Sequence, residues 1–141
     1  MKWAIMKSTY RTNSEFIKYN NALSTEKKDI CDMLMREIDE TLINSISKMY
    51  HSNPVWFIND NPIVGYNVTG NGIALLFWSG QSFKTPGLVG TGKFKAAKIV
   101  YVVKSDIDLK LLKNWLRESV EIQWDYKNIR TNGKLVPIDK K

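Results

Sequence analysis

The feature that most constrains the fold is one uninterrupted stretch, residues 54–83, which reads PVWFINDNPIVGYNVTGNGIALLFWSGQSF. Three short apolar runs in it are separated by clusters of Asn, Asp, Gly and Pro, the residues that favour tight turns. The runs cover residues 55–58, 63–68 and 73–78. Because a parallel connection needs a crossover of a dozen or more residues, runs separated by such short turns predict an antiparallel meander.

Helical patterns flank the meander on both sides. Apolar residues recur at spacings of three and four along residues 25–50, which predicts one long N-terminal helix with an apolar stripe. The stripe consists of Ile30, Leu34, Ile38, Leu42, Ile46 and Met49. A last strand is predicted at 94–103 and a C-terminal helix at 108–121. This order predicts an α+β fold, in which an antiparallel sheet of about four to five strands carries both helices on one face.

Length and composition set the domain organisation. A chain of 141 residues has the size of one domain, predicted at residues 1–130, with a polar C-terminal tail at 131–141. The single cysteine, Cys31, excludes an internal disulfide. The N-terminal residues lack the apolar core of a signal peptide, and no run approaches the ~20 apolar residues of a membrane span. These features predict a cytoplasmic protein with no membrane partner.

The charge of the chain is concentrated in one segment. The formal net charge is +7, and residues 81–105 hold five lysines and no acid. The five are Lys84, Lys93, Lys95, Lys98 and Lys104. Lysines clustered in this way attract anions, nucleic acid or acidic partners. They also protect an edge strand from pairing with another chain, and the sequence leaves both roles open.

One segment has the spacing of a phosphate-binding P-loop without its chemistry. Residues 87–94 read GLVGTGKF, so Phe94 stands where a hydroxyl would contact magnesium. The residues that follow are strand-like, and no helix N-terminus would face the phosphates. The sequence therefore predicts no nucleotide hydrolysis, although the glycine-rich backbone beside Lys93 and Lys95 suits a single anion.

Residues for acid–base, nucleophilic or zinc chemistry are scarce. His51 is the only histidine, and Cys31 lies in the predicted helix about 30 Å away along its axis. A zinc site would need further ligands near either one, and a general base would need a carboxylate and a nucleophile. The sequence predicts no catalytic residues, no metal ligands and no cofactor.

The candidate ligand-binding residues are aromatic, polar and basic side chains around the last strands of the meander. They are Trp56, Tyr66, Trp78, Ser79, Gln81, Ser82, Lys93 and Lys95. The three aromatic residues could share one face of the sheet and form a stacking surface for a planar ligand or a base. Alternatively, helices cover that face and the aromatic residues are core or cross-strand pairs.

Five segments carry a resemblance to a known family. They read HSNPVWF, NPIVGY, LLFWSGQSF, GKFKAAK and IQWDYKNI. With the helices that flank them, over residues 14–125, they resemble the YdhG-like family of small bacterial domains of unknown function, in a tryptophan-rich version. That family includes a frataxin-like member that binds iron, so the resemblance implies iron binding on an acidic helical ridge. The matching acids are Glu26, Asp29, Asp32, Asp39 and Glu40.

Three functions follow as expectations. The first is a non-enzymatic binding domain for an anionic small molecule or an acidic protein partner. The second, implied by the resemblance alone, is a frataxin-like iron chaperone for iron–sulfur cluster assembly. The third is a weak, non-specific nucleic-acid binder, suggested by the lysines and aromatic residues. The sequence does not indicate the oligomeric state.

Overall fold

The computed structural model describes residues 13–138 and has an α+β fold. Its sheet has six strands, all antiparallel, in the order β1-β2-β3-β4-β6-β5. The strands are β1 Ile46–Tyr50, β2 Asn53–Ile58, β3 Asn61–Thr69, β4 Gly72–Phe77, β5 Val89–Gly90 and β6 Ala97–Tyr101. The helices are α1 Ser14–Asn21, α2 Thr25–Thr41, α3 Leu109–Glu121 and the short α4 Ile129–Asn132.

The predicted meander is confirmed, and its hairpin turns are tight. The β1–β2 turn consists of His51 (φ 52°) and Ser52 (φ 69°), and the β2–β3 turn of Asn59 (φ 50°) and Asp60 (φ 68°). Left-handed conformations at both central residues give a type I′ turn, whose twist matches that of the strands it joins. Asn, Asp and His tolerate this region better than most residues do, whereas Ser52 adopts it at a cost in strain.

The prediction of one helix over residues 25–50 is wrong beyond Thr41. The backbone of Leu42 leaves the helical region, and both the amide and the hydroxyl of Ser45 bond to the Leu42 carbonyl, at 3.0 and 2.6 Å. A serine close to a helix end competes with the helical hydrogen bonds in this way. The apolar spacing then continues by coincidence into β1, where Ile46 is 66% exposed.

The sheet is also wider than predicted. The strand expected at 94–103 is shorter, covering Ala97–Tyr101, and a two-residue strand, Val89–Gly90, pairs with its outer edge. Two residues in a glycine-rich loop show no alternating pattern, so nothing in the sequence indicates this strand. With β1, it raises the count from about four or five strands to six.

The main core lies between α1, α2 and α3 and one face of the sheet, termed the helix face. Its fully buried residues include Phe16, Ile30, Leu34 and Ile38 from α1 and α2, Trp56, Val64, Tyr66, Leu75 and Phe77 from the sheet, and Trp115 from α3. The opposite side of the sheet is termed the open face. Within residues 13–138, no helix has the length and apolar character needed to cross a membrane.

Two buried tyrosines of this core differ in their hydrogen bonding. The hydroxyl of Tyr66 donates to the Asn20 side-chain oxygen at 2.7 Å. Among the described residues, the hydroxyl of Tyr101 has no partner. Burial raises the pKa of both phenols, so both stay protonated at neutral pH.

Tyr66→Phe should therefore destabilise the protein by about 1–2 kcal/mol, because it leaves the buried Asn20 oxygen without a donor. Tyr101→Phe should be neutral or stabilising, because it removes an unpaired buried hydroxyl. Urea denaturation followed by tryptophan fluorescence measures both changes in the free energy of unfolding. An equal loss in the two variants would contradict the assigned hydrogen bonding.

The chain after α3 returns to the end of the sheet. The Asp125 amide donates to the Val136 carbonyl at 2.7 Å, the Ile138 amide donates to the Gln123 carbonyl at 2.8 Å, and Trp124 pairs with Pro137. Residues 136–138 are therefore held by backbone hydrogen bonds, whereas the sequence predicts a loose tail from residue 131. The rest of that predicted tail, residues 139–141, lies outside the described residues, as do residues 1–12.

Candidate functional site

One row of residues crosses five neighbouring strands on the open face. Lys48 of β1 is opposite Val55 of β2, which is opposite Gly65 of β3. Gly65 is opposite Leu76 of β4, and Leu76 is opposite Lys98 of β6. Because side chains alternate along a strand, this row, termed the central row, points away from the helices. It places a glycine in the middle and a lysine on each side.

A hollow of about 190 Å³ lies over the central row. Val55, Gly65 and Leu76 line it, with the aromatic rings of Tyr50 and Trp78. A Cβ atom at Gly65 would lie 2.7 Å from the Pro54 carbonyl oxygen and 2.9 Å from the Val55 side chain. Only glycine fits there, because atoms of β2 already occupy the Cβ position, and Gly65 lines the hollow with its backbone alone.

The wall formed by Tyr50 is held in place and accessible. Its ring contacts the His51 ring at a centroid distance of 4.2 Å and meets the Phe57 ring edge-on at 5.4 Å. Tyr50 is 39% exposed, while Phe57 is 6% exposed. Lys48 places its ammonium 4.6 Å from the centroid of the Phe57 ring. The edge of the hollow is therefore aromatic and positively charged.

The three aromatic residues predicted to share one exposed face lie on two. Trp56 and Tyr66 are on the helix face, 0% and 1% exposed, with ring centroids 5.9 Å apart. The indole nitrogen of Trp56 donates to the Asp39 carboxylate at 2.8 Å. Trp78 lines the hollow on the open face. The period-two alternation separates them, because the helices cover the face where Trp56 and Tyr66 point.

The predicted polar loop at residues 79–82 is used to hold the C-terminal segment. The Ser79 hydroxyl accepts the Trp124 amide at 2.9 Å, and the Ser82 hydroxyl accepts the Trp124 indole N–H at 3.0 Å. The Gln81 side chain donates to the Ala96 carbonyl at 2.9 Å. These bonds give all three side chains a structural role, and their binding of a ligand stays a prediction.

The two predicted lysines lie beside this loop, with their charges over aromatic rings. The Lys95 ammonium is 4.7 Å from the centroid of the Trp124 ring, and the Lys93 ammonium is 5.6 Å from that of Phe94. Phe94 is 44% exposed. Among residues 13–138, neither lysine forms an ion pair with a carboxylate. Both charges are therefore available to an anion, consistent with the predicted role.

The two layers of the molecule have opposite charge. Residues 14–41, which form α1 and α2, hold seven acids and four basic residues, and α3 adds two acids and three basic residues, so the helix layer has nine acids and seven basic residues. Residues 43–105, which contain the whole sheet, hold six lysines and a single acid, Asp60 in the β2–β3 turn. The helix layer is therefore negative and the sheet layer positive, so an anion approaching from solution is attracted to the sheet side.

The thiol and carboxylate groups that could serve catalysis or metal binding do not cluster in the described residues, and some already form bonds within the fold. Cys31 is buried, and burial raises the pKa of its thiol to about 12, so it stays protonated. Asp32 of the predicted acidic ridge bonds to Lys28 at 2.7 Å and to Asn20 at 3.0 Å. Over the described part of the chain, no three His, Cys, Asp or Glu residues are grouped to hold a metal ion.

Sequence reasoning missed four residues of this surface. Tyr50 and Lys48 lie on β1. The sequence predicted these residues as part of the preceding helix, because its apolar spacing continues through them. Gly65 interrupts a strand pattern, and an isolated glycine in a strand indicates a close backbone approach or a gap. Lys98 lies between Ala97 and Ile99, whose side chains face the helices. Strand alternation therefore places Lys98 on the open face, but only once the orientation of β6 is known.

Comparison with protein-family models, curated protein sequences and solved structures found no match to this chain. The resemblance to the YdhG-like family therefore stays a prediction, and so do the bacterial origin and the iron role that it implies.

Proposed function

We propose that this protein is a non-enzymatic binding domain for an anionic ligand, either a small molecule or an acidic protein partner. The observation that carries the proposal is the positive sheet layer, with six lysines against one acid in residues 43–105. In the described residues, none of these six lysines is neutralised by an ion pair. Their charges are therefore free to interact with a ligand.

The arrangement supports binding on the sheet side in a second way. The ammonium groups of Lys48, Lys93 and Lys95 each lie over an aromatic ring, which restricts their position without neutralising them. A ligand with negative charge thus meets cations that are partly ordered beforehand, which lowers the entropy cost of binding.

The iron-chaperone alternative has less support. Two carboxylates of the proposed ridge already serve the fold, Asp32 with Lys28 and Asp39 with Trp56. The other ridge acids are interleaved with basic residues along α2. This alternative depends on the family resemblance, and anaerobic titration with ferrous iron is its direct test.

Retention on immobilised heparin at pH 7 tests the anion proposal. Lys93→Gln combined with Lys95→Gln should elute at clearly lower salt than the wild type, because both charges face the ligand and salt screens them. The matched control is Lys18→Gln with Lys110→Gln, two exposed lysines of α1 and α3, which lowers the net charge equally. The control should elute close to the wild type.

Two results would contradict the proposal. Equal shifts in both variants would mean that retention follows net charge and not the sheet side. Absence of retention of the wild type at low salt would remove anion binding altogether.

A further inference from the structure

We infer that the hollow over the central row binds one base of a single-stranded nucleic acid, whose phosphates contact Lys48 and Lys98. The inference rests on the proposed preference for anions, and it favours the nucleic-acid expectation over a small molecule or an acidic protein as the ligand. Three features of the open face carry it: the size of the hollow, its aromatic walls and the placement of the two lysines.

The hollow matches one planar ring system. Its volume of about 190 Å³ is below the range of roughly 300–1,000 Å³ that drug-sized ligands occupy. A cavity of about 150 Å³ is known to hold a benzene ring. Tyr50 and Trp78 supply aromatic surface for stacking, and Gly65 lines the hollow between them without a side chain.

The lysines favour a strand over an isolated nucleotide. Lys48 and Lys98 are four strand spacings apart in the central row, which puts their Cα atoms about 19 Å apart. Because the hollow lies between the two lysines, a nucleotide whose base fills it can direct its phosphate towards only one of them. A strand that continues in both directions from the bound base brings phosphates to both lysines.

The same features favour a single strand over a duplex and predict little sequence preference. Bases in a duplex are stacked and paired, so none can enter the hollow without being extruded. Lysine is a point charge without the forked geometry that reads a guanine edge. Binding at physiological salt should therefore be weaker than about 10 µM, within the usual non-specific range.

Fluorescence anisotropy with a labelled ten-nucleotide oligothymidylate tests the inference at 50 mM salt and above. Tyr50→Leu should weaken binding about tenfold, because one base loses its stacking partner. Lys48→Gln with Lys98→Gln should lower the slope of log affinity against log salt by about 1.4, since each single-strand phosphate contact contributes about 0.7. A duplex of the same length should bind more weakly than the single strand.

Phe94→Leu is the comparison variant, because Phe94 is 44% exposed and lies outside the hollow. It should lose clearly less affinity than Tyr50→Leu, since Phe94 would act on the ligand only by orienting Lys93. An equal or greater loss in Phe94→Leu than in Tyr50→Leu would place the ligand on the basic loop, which would overturn the inference and leave the proposed function intact.

Two further outcomes separate the inference from the proposed function. Heparin retention without oligonucleotide binding would overturn the inference alone, whereas absence of both would overturn both. Displacement of the oligonucleotide by adenosine monophosphate at similar concentration would show that a free nucleotide suffices, and the strand would be the wrong ligand.

Discussion

Replacing Asn61 by alanine should lower the free energy of unfolding by about 3 kcal/mol. Its side-chain nitrogen donates to the Trp124 carbonyl at 3.0 Å and to the Gln123 side chain at 3.3 Å. Its oxygen accepts the amides of Tyr126 and Lys127, at 3.0 and 3.1 Å. Asn61 is 1% exposed, so the substitution leaves several partners without bonds in a part of the protein that water reaches poorly.

Urea denaturation with far-UV circular dichroism measures this loss, and Asn132→Ala is the control. Asn132 is exposed, and within residues 13–138 its side chain makes only a long bond, 3.5 Å, to Asp125. Its substitution should change stability by less than about 0.5 kcal/mol. A loss below about 1 kcal/mol for Asn61→Ala would show that the segment after α3 is held by other contacts.

A second large effect is expected at Gly87, the first glycine of the segment that resembles a P-loop. Its φ is 117°, and a Cβ atom there would lie 2.7 Å from the Trp115 ring. That ring is 1% exposed, and its N–H donates to the carbonyls of Thr85 and Pro86, both at 3.2 Å. Gly87→Ala should therefore cost about 3–5 kcal/mol, from backbone strain and from overpacking.

The glycine at position 92 is the natural control for this experiment. Its φ is 72°, but a Cβ atom there would meet nothing within 4 Å. Gly92→Ala should cost only about 1–2 kcal/mol, the price of a left-handed backbone conformation. Equal melting temperatures for the two variants would contradict the assigned contact with Trp115. A larger loss for Gly87→Ala than for Gly92→Ala would show that Gly87 serves packing and not phosphate binding. The side chain of Phe94, which stands where a P-loop has a hydroxyl, agrees with that role.

The strands of the meander were predictable because turn residues and strand residues obey local rules. Two examples are the type I′ turn at Asn59 and Asp60 and the apolar run that forms β4. The end of α2 was not predictable from spacing, because Ile46 continues the apolar stripe after the chain has left the helix. Tertiary pairing with β2 decides that Ile46 belongs to a strand.

The candidate surface was only partly predictable for the same reason. Lys93, Lys95 and Trp78 were identified from composition and position along the chain. Which face each aromatic residue occupies depends on where the helices pack, so Trp56 and Tyr66 could not be assigned to the core in advance. The residues of the central row can be identified only from the register of five paired strands, and the sequence did not reveal β1 as a strand.

Mapping the bound ligand by nuclear magnetic resonance shows directly whether the sheet side of the protein binds anions. A ¹⁵N-labelled sample is titrated with the ten-nucleotide oligothymidylate to about 1 mM, which exceeds the expected dissociation constant at low salt. We expect the largest amide shifts at Tyr50, Gly65 and Lys98, smaller ones at Lys93 and Lys95, and none along α2. Shifts confined to the helix layer, or absence of shifts at that concentration, would contradict the claim that the positive face of the sheet binds anions.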